Sequence, residues 1–258
     1  MQRRVNRHGG CAVKPSESIR RLLFSLLKDI SVDKTICDNL DRIFKEIENG
    51  NDRGEKITLL GATKFVPVDK VNEAIKAGLT DIGENKAQEF RDKFEFYGEC
   101  VKHFIGTLQE NKLKYVVGKA DFIDSVSSLE LAVAINEKAA AKGICQKVMI
   151  EINGGEEESK TGATIDTAKA LYKSIIGLKN LELGGIMALL PVSSDEEYLA
   201  KICREIRAFY DEIREKTKTV KYLSIGMSGD YKIAIENGSN MIRLGRAIFG
   251  ERDYGEVK

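Results

Sequence analysis

Residues 57–64, ITLLGATK, form an apolar run of strand-forming residues that ends on one charged side chain, Lys64. The residues that follow, FVPVDKVNEAIKAG (65–78), carry apolar positions at helical spacing and end on glycine. A buried strand followed by an amphipathic helix is the repeating unit of parallel α/β proteins. Such folds bind ligands at the carboxyl ends of their strands, where Lys64 would lie. Taken alone, Lys64 is equally well explained as a surface lysine that ends a strand.

The same alternation of strand and helix continues along the chain. Seven more strands are predicted at 79–84, 101–108, 121–126, 146–153, 181–189, 221–227 and 240–245. An additional helix precedes the first strand, since apolar residues lie at helical spacing before Gly50. Eight strands with helices between them predict an α/β fold, a single (β/α)8 TIM barrel preceded by an N-terminal helix. An open doubly wound sheet is the alternative, but no GxGxxG motif follows the first strand.

Composition narrows the functional classes. The 258 residues include 41 basic and 40 acidic side chains, so the net charge of +1 gives no electrostatic reason to expect nucleic-acid or membrane binding. Five scattered cysteines without CxxC spacing and only two histidines argue against a disulfide framework and a metal site, and favour a reduced, cytoplasmic protein. Residues 1–30 are predicted to be a flexible extension, and residues 31–258 the barrel domain.

The loops after strands seven and eight contain the next candidate residues. Barrel enzymes often hold a phosphate between these two loops, through backbone N–H groups and a helix N-terminus. Here the loops are GMSGD (226–230) and RLGRAIFG (243–250), which contains Gly245 and Arg246. Ser228 is predicted to cap the short helix that starts near Asp230 and to donate to the phosphate. Each feature alone is also compatible with an ordinary turn or helix cap.

A lysine beside a phosphate site is the arrangement that pyridoxal 5'-phosphate requires, because its aldehyde forms a Schiff base with an amine. Arg243, at the end of strand eight, would face the same cavity and could donate to the pyridine nitrogen. A donor that keeps its proton leaves that nitrogen unprotonated, which makes the cofactor a weaker electron sink. A salt-bridged barrel arginine is the alternative for Arg243.

The motifs together resemble one family, the pyridoxal phosphate homeostasis proteins, also called the YggS/PROSC family of fold-type III proteins. The resemblance covers about residues 31–252 and rests on GATKFVPVDKVNEAIKAG, IGENKAQE, HFIGTLQENK, SVSSLELA, EINGGEEESKTG, GGIMAL, SIGMSGDYKIAIENGS and MIRLGRAIFGER. It implies a barrel similar to the N-terminal domain of alanine racemase.

By the same resemblance, the cofactor would be held on Lys64. The other implied cofactor-binding residues are Asn85, Ser228, Arg243, Gly245 and Arg246. His103 would lie at a strand end near the pocket, although a packed histidine explains it equally well. The role of Lys160, in the acidic loop EEESKTG, stays open.

The resemblance implies a carrier that stores the cofactor and delivers it to apoenzymes, with no catalytic residues of its own and as a monomer rather than a dimer. The alternative is a fold-type III amino-acid racemase, and a barrel enzyme acting on phosphorylated sugars is a third possibility. We expect ERDYGEVK (251–258) to leave no room for the second domain of such racemases, with Tyr254 as the one tyrosine near the mouth.

Overall fold

The protein was analysed as a computed structural model that describes residues 34–155 and 161–250. Eight parallel strands are hydrogen-bonded in chain order and close into a barrel. The strands are β1 Thr58–Ala62, β2 Asp81–Glu84, β3 Val101–Phe104, β4 Phe122–Val126, β5 Gln146–Asn153, β6 Leu181–Leu189, β7 Tyr222–Ile225 and β8 Met241–Leu244. The predicted TIM barrel is confirmed, and the open sheet is wrong. The extension over residues 1–30, Lys160 and Tyr254 lie outside the described residues.

Helices follow the strands, and one precedes β1. They are α1 Lys34–Glu46, α2 Val68–Lys76, α3 Ala87–Lys93, α4 Leu113–Val116, α5 Leu129–Ala140, α6 Ile165–Ile175, α7 Glu196–Lys216, α8 Tyr231–Glu236 and α9 Arg246–Phe249. A 3-10 turn over Glu110–Lys112 leads into α4, which is four residues long. The four residues of α9 are too few for apolar spacing to predict. No helix in the described ranges is long and apolar enough to cross a membrane.

The helix before β1 is confirmed and is amphipathic. Its buried face consists of Ile36, Leu40 and Ile43, and Ile47, directly after its last residue, is also buried. Asn39, on the same helix, donates to the carbonyl oxygen of Ile248 at 3.1 Å, which joins α1 to the helix after β8. After α1 the chain turns at Gly50, whose φ of 78° is left-handed. A Cβ there would lie 2.6 Å from the carbonyl oxygen of Glu55, so the turn requires glycine.

The barrel closes between its first and last strands. Leu60 on β1 pairs with Asp81 on β2 on one side and with Arg243 on β8 on the other. The arginine of the last strand therefore lies beside the strand that leads to Lys64, although 179 positions separate the two residues along the chain.

The inner face of the barrel changes from apolar to charged along three strands. The apolar layer contains Leu60, Phe122, Met149 and Met241. The buried charged residues Asp124, Glu151 and Arg243 lie two positions nearer the carboxyl ends of β4, β5 and β8, and therefore on the same face of each strand. Buried charges need partners, so this layer is held by specific hydrogen bonds. It forms a polar floor directly beneath the mouth of the barrel.

Candidate functional site

Lys64 lies in the loop after β1. The strand ends at Ala62, so the lysine is two residues beyond it and half-buried, and not within the strand as the sequence predicted. Thr63 fixes the start of the loop, because its N–H and Oγ1 both donate to the carbonyl oxygen of Gly83, at 2.9 and 3.1 Å. Directly after Lys64, Phe65 adopts a left-handed φ of 62°. The ring of Phe65 has its centre 5.2 Å from Lys64 Nζ.

Arg243 is buried on the inner face of β8. Its Nη1 donates to the carbonyl oxygen and the hydroxyl of Ser224, at 2.7 and 2.8 Å, and its Nη2 donates to the carbonyl oxygen of Ala188 at 2.9 Å. Within the described part, these bonds end on neutral oxygens, so the salt-bridge alternative is not supported. Burial lowers the pKa of Arg243, and the charges of Asp124 and Glu151 oppose that change. The guanidinium is therefore held in one orientation by the barrel itself.

The loop after β7 carries Ser228, which is exposed. The prediction that Ser228 caps the following helix is wrong, because the helix begins at Tyr231 and Asp230 takes the N-cap position. The Asp230 carboxylate instead accepts from the N–H of Met227 at 2.5 Å, which closes the loop. Gly226 has a φ of 107°, and a Cβ there would lie 2.7 Å from the Cα of Tyr231. The loop therefore turns tightly and leaves the Ser228 hydroxyl at the surface.

Gly245 and Arg246 lie where β8 runs into α9. Gly245 is buried at the N-cap position, and Arg246 is the first helical residue and exposed. The first N–H groups of any helix lack partners within it, so they are available to an acceptor at this end. The N–H of Arg243 donates to the carbonyl oxygen of Gly226 at 2.9 Å. This bond places the start of α9 next to the loop of Ser228.

Asn85 follows β2 directly and is half-buried. Its N–H donates to Glu84 Oε1 at 2.7 Å. A Cβ on Gly106 would lie 2.0 Å from the carbonyl oxygen of Asn85, so glycine lets the segment after β3 lie against this residue. Asn85 is thus fixed at the mouth between the loops after β1 and β3.

The six predicted cofactor-binding residues come from four consecutive strands of the barrel and the loops after them. They are Ser228 after β7, Arg243, Gly245 and Arg246 on and after β8, Lys64 after β1, and Asn85 after β2. All of them lie at the carboxyl ends, which is the face where barrel enzymes carry their sites.

His103 lies inside the barrel, fully buried, as the packed alternative predicts. Its Nδ1 is 3.0 Å from each carboxylate oxygen of Asp124, and its Nε2 is 3.3 Å from Asp81 Oδ1. The imidazole stacks on Phe122 with 4.8 Å between ring centres. Burial alone would lower the pKa of His103, but the Asp124 charge and the hydrogen bonds to both carboxylates raise it to about 9. The side chain is therefore an imidazolium that supports the floor at neutral pH.

Glu151, like Asp124, is a part of the floor that was not predicted from the sequence. It is buried on β5, and its Oε1 accepts from the hydroxyl of Thr161 at 2.8 Å. Burial raises the pKa of Glu151, and the charge of Arg243 opposes that change. The signal was present in the sequence, since Asp124 is the one acidic residue of β4 (FIDSV) and Glu151 the one acidic residue of β5 (QKVMIEIN), where an isoleucine stands on each side of it.

Comparisons with known proteins agree with this fold. The family model described as alanine racemase, N-terminal domain, matches residues 58–253. The pyridoxal phosphate homeostasis protein of Aquifex aeolicus is 38% identical over 225 residues, which cover 84% of this chain and 99% of that protein. The crystal structure of an unknown protein from Bifidobacterium adolescentis superimposes with a TM-score of 0.79 at 32% identity, and covers 85% of this chain and 96% of that one.

PipY of Synechococcus elongatus, in a structure with pyridoxal phosphate bound, has the same fold. Its TM-score is 0.72 at 24% identity, and the match covers 83% of this chain and all of PipY. The family model spans most of the barrel, and the Aquifex relative matches along nearly its whole length. The chain therefore belongs to the pyridoxal phosphate homeostasis protein family, whose barrel is that of the alanine racemase N-terminal domain.

Proposed function

We propose that this protein binds pyridoxal 5'-phosphate at the barrel mouth and holds it for delivery to apoenzymes. The observation that carries the proposal is the closure of the barrel, which pairs Leu60 with Arg243. Because of that pairing, the loop of Lys64 lies beside the floor arginine and beside the loops after β7 and β8. Relatives named as pyridoxal phosphate homeostasis proteins support the same ligand.

The donors at the mouth fit the chemistry of this cofactor. Pyridoxal phosphate supplies an aldehyde, a phosphate dianion and a pyridine nitrogen. Lys64 Nζ would hold the cofactor through its aldehyde carbon as a Schiff base, formed with loss of water. The Ser228 hydroxyl and the N–H groups of Gly245 and Arg246 would hold the phosphate, because the start of a helix favours an anion. Asn85 would contact the cofactor from the β2 side.

Arg243 would donate to the pyridine nitrogen. Its guanidinium is already oriented by Ser224 and Ala188, so little order has to be gained when the cofactor binds. Since arginine does not give up its proton, the ring nitrogen would stay unprotonated and the ring would be a poor electron sink. This arrangement favours storage of the cofactor over reactions at the carbon of a bound amino acid.

An amino-acid racemase is the second candidate, favoured by the match to the alanine racemase N-terminal domain. Racemisation requires two acid/base groups, one on each side of the reacting carbon. Among the tyrosines that the structure describes, Tyr222 is the one on a barrel strand, and it packs in the apolar layer against Phe122, one layer below Ser224. It therefore lies beneath the floor rather than at the mouth, and we propose that turnover is not substantial.

The Schiff base is tested by absorbance spectroscopy and by borohydride reduction followed by peptide mapping. We expect a coloured protein with the label on Lys64, and loss of both in Lys64→Ala. Lys86→Ala is the matched control, because Lys86 Nζ is also close to the Phe65 ring, at 4.1 Å. Label on Lys86 or Lys160 would overturn the assignment. A colourless protein that turns over phosphorylated sugars would favour the third alternative.

Delivery and turnover are tested on the same preparation. Transfer of cofactor to an apoenzyme is expected, and single-enantiomer amino acids should keep their configuration. Multi-turnover racemisation that disappears in Lys64→Ala, without any transfer, would favour the racemase. Light scattering of the holoprotein checks the proposed monomer, and a stable dimer would contradict it.

A further inference from the structure

We propose that Glu89 and Lys93 on α3 act as positioning residues that fix the backbone around Lys64 and so direct its amine into the barrel mouth. The proposal rests on the proposed function, because it assigns Lys64 its Schiff-base role. The two residues are here named the α3 clamp.

The α3 clamp holds the loop on both sides of Phe65. Glu89 Oε2 accepts from the N–H of Phe65 at 3.1 Å and from Lys93 Nζ at 2.8 Å. Lys93 Nζ also donates to the carbonyl oxygen of Val66 at 3.1 Å. One ion pair, spaced i to i+4 on a helix, therefore binds a donor and an acceptor of the same loop.

The other side of Lys64 is held separately. Thr63 donates through its N–H and its hydroxyl to Gly83, and the hydroxyl is 3.3 Å from Glu84 Oε2. Lys64 thus lies between two residues whose backbones are each attached to the barrel. The position of its Cα and the direction of its Cα–Cβ bond are set by contacts that do not involve a ligand.

The conformation held by the clamp is an unusual one. Phe65 has a φ of 62°, and in the described part of the chain it is the one residue other than glycine with a positive φ. An aromatic residue does not favour this region, so the loop would relax to another backbone conformation without its anchors. The strained turn brings the Phe65 ring within 5.2 Å of Lys64 Nζ. Strain of this kind is a common feature of functional sites.

The charges in the clamp support the same arrangement. Burial would raise the pKa of Glu89, but the hydrogen bonds from Lys93 and from Phe65 outweigh burial and lower it. Glu89 is therefore an ionised acceptor, which makes stronger hydrogen bonds than a neutral one. Lys93 Nζ also lies 3.9 Å from Glu84 Oε2, and burial together with the Glu89 charge raises the pKa of Glu84. The pKa of the clamp carboxylate is thus lowered, whereas that of the neighbouring Glu84 is raised.

The clamp has a chemical consequence for Lys64. Addition of an amine to an aldehyde is fast when the reacting atoms are already placed, and a mobile amine loses that advantage. Contacts to the phosphate and the pyridine nitrogen come from other loops and do not depend on α3. Loss of the clamp should therefore weaken the covalent link and leave non-covalent binding of the ring and phosphate intact.

The test compares Glu89→Ala and Glu89→Gln with the wild type, using two ligands. Pyridoxal phosphate reports covalent binding, whereas pyridoxine 5'-phosphate has an alcohol in place of the aldehyde and reports non-covalent binding. Asp92→Asn is the matched control, because Asp92 is exposed on the same helix and pairs with Arg91. We expect Glu89→Ala to lose about 10- to 100-fold in affinity for pyridoxal phosphate and less than about threefold for the alcohol. The affinity of Glu89→Gln for pyridoxal phosphate should lie between those of the wild type and Glu89→Ala, since the amide oxygen of glutamine still accepts a hydrogen bond.

A measurement without ligand keeps the two proposals separable. Hydrogen exchange at the Phe65 amide of the apoprotein should become at least about 10-fold faster in Glu89→Ala and stay unchanged in Asp92→Asn. Equal loss of both ligands, or unchanged exchange at Phe65, would overturn the clamp. A wild-type protein that carries no label on Lys64 would overturn the proposed function instead, whatever the exchange rates. If Glu89→Ala does not fold, the same comparisons in Glu89→Gln and Lys93→Met decide the question.

Discussion

Replacing Glu55 by glutamine tests how the barrel is held closed at the amino-terminal ends of β1 and β8. Glu55 Oε2 accepts from Arg207 Nη1 at 2.6 Å and from Asn51 Nδ2 at 2.9 Å, and Arg214 donates to Oε1. Arg207 also donates to the carbonyl oxygen of Gly238 at 2.6 Å. Glu55 precedes β1 and Gly238 precedes β8, so the cluster joins the segments that lead into the two closing strands.

The magnitude follows from the pKa of Glu55. Burial would raise this pKa, but hydrogen bonds from Arg207, Asn51 and Arg214 lower it from 4.5 to about 2. At about 1.36 kcal/mol per pH unit, this difference sets an upper limit of about 3 kcal/mol on what ionised Glu55 contributes to the free energy of unfolding. Arg214 is 46% exposed, so solvent screens part of the interaction and we expect about 2 kcal/mol. Because the folded pKa is the lower one, the contribution is present above pH 4.5 and is lost as the pH falls towards 2.

The assay is urea unfolding of the wild type and Glu55→Gln at pH 7 and at pH 3. The free energy of unfolding of the variant should be lower than that of the wild type by about 2 kcal/mol at pH 7. At pH 3 this difference should fall to less than about 1 kcal/mol. Glu205→Gln is the control, since Glu205 lies on the same helix as Arg207. In the described part of the chain its one ion pair is with the exposed Lys201. A gap of equal size at both pH values would refute the reasoning, because the charge of Glu55 would then not be its source.

Two further substitutions test the mouth and the floor. Ser228→Ala should weaken binding of pyridoxal phosphate by about 10-fold or more while affinity for pyridoxal is kept, and equal loss of both would show that the hydroxyl does not contact the phosphate. Asp124→Asn should lower the pKa of His103 from about 9, as measured by NMR titration. The pKa of His103 is higher in the folded than in the unfolded protein, so the wild type should lose stability as the pH rises from 6.5 through 9. The variant should lose less stability over this range, and equal losses would contradict the role of Asp124.

Much of the site could be predicted because it depends on local patterns. The apolar run before Lys64 and the order of eight strands place the lysine and Arg243 on neighbouring strands as soon as the barrel closes. The loops predicted to hold the phosphate are located by the same count of strands. The strand end was wrong by two residues, and the left-handed conformation of Phe65 in the loop that follows is one that the steric preferences of an aromatic residue do not predict.

The contacts that support the site are not local, and the sequence gives no pattern for them. Glu89 reaches Phe65 across 24 residues, and Glu55 reaches Arg207 across 152. Each pair is formed by common residue types whose proximity depends on the completed barrel. His103 shows the same limit, since its partners Asp81 and Asp124 lie on β2 and β4, and nothing in the sequence marks them as partners of a histidine.

The two long-range clusters act at opposite ends of the same strand, which separates stability from function. The Glu55 cluster lies before β1, and the α3 clamp lies after it. In barrels of this kind the amino-terminal face contributes to stability and the carboxyl-terminal face carries the chemistry. Glu55→Gln should therefore lower the free energy of unfolding and leave the covalent link at Lys64 unchanged. Glu89→Ala should weaken the covalent link and leave the free energy of unfolding unchanged. If both variants lost stability and cofactor in proportion, the barrel would behave as one cooperative unit and the division between its two faces would be wrong.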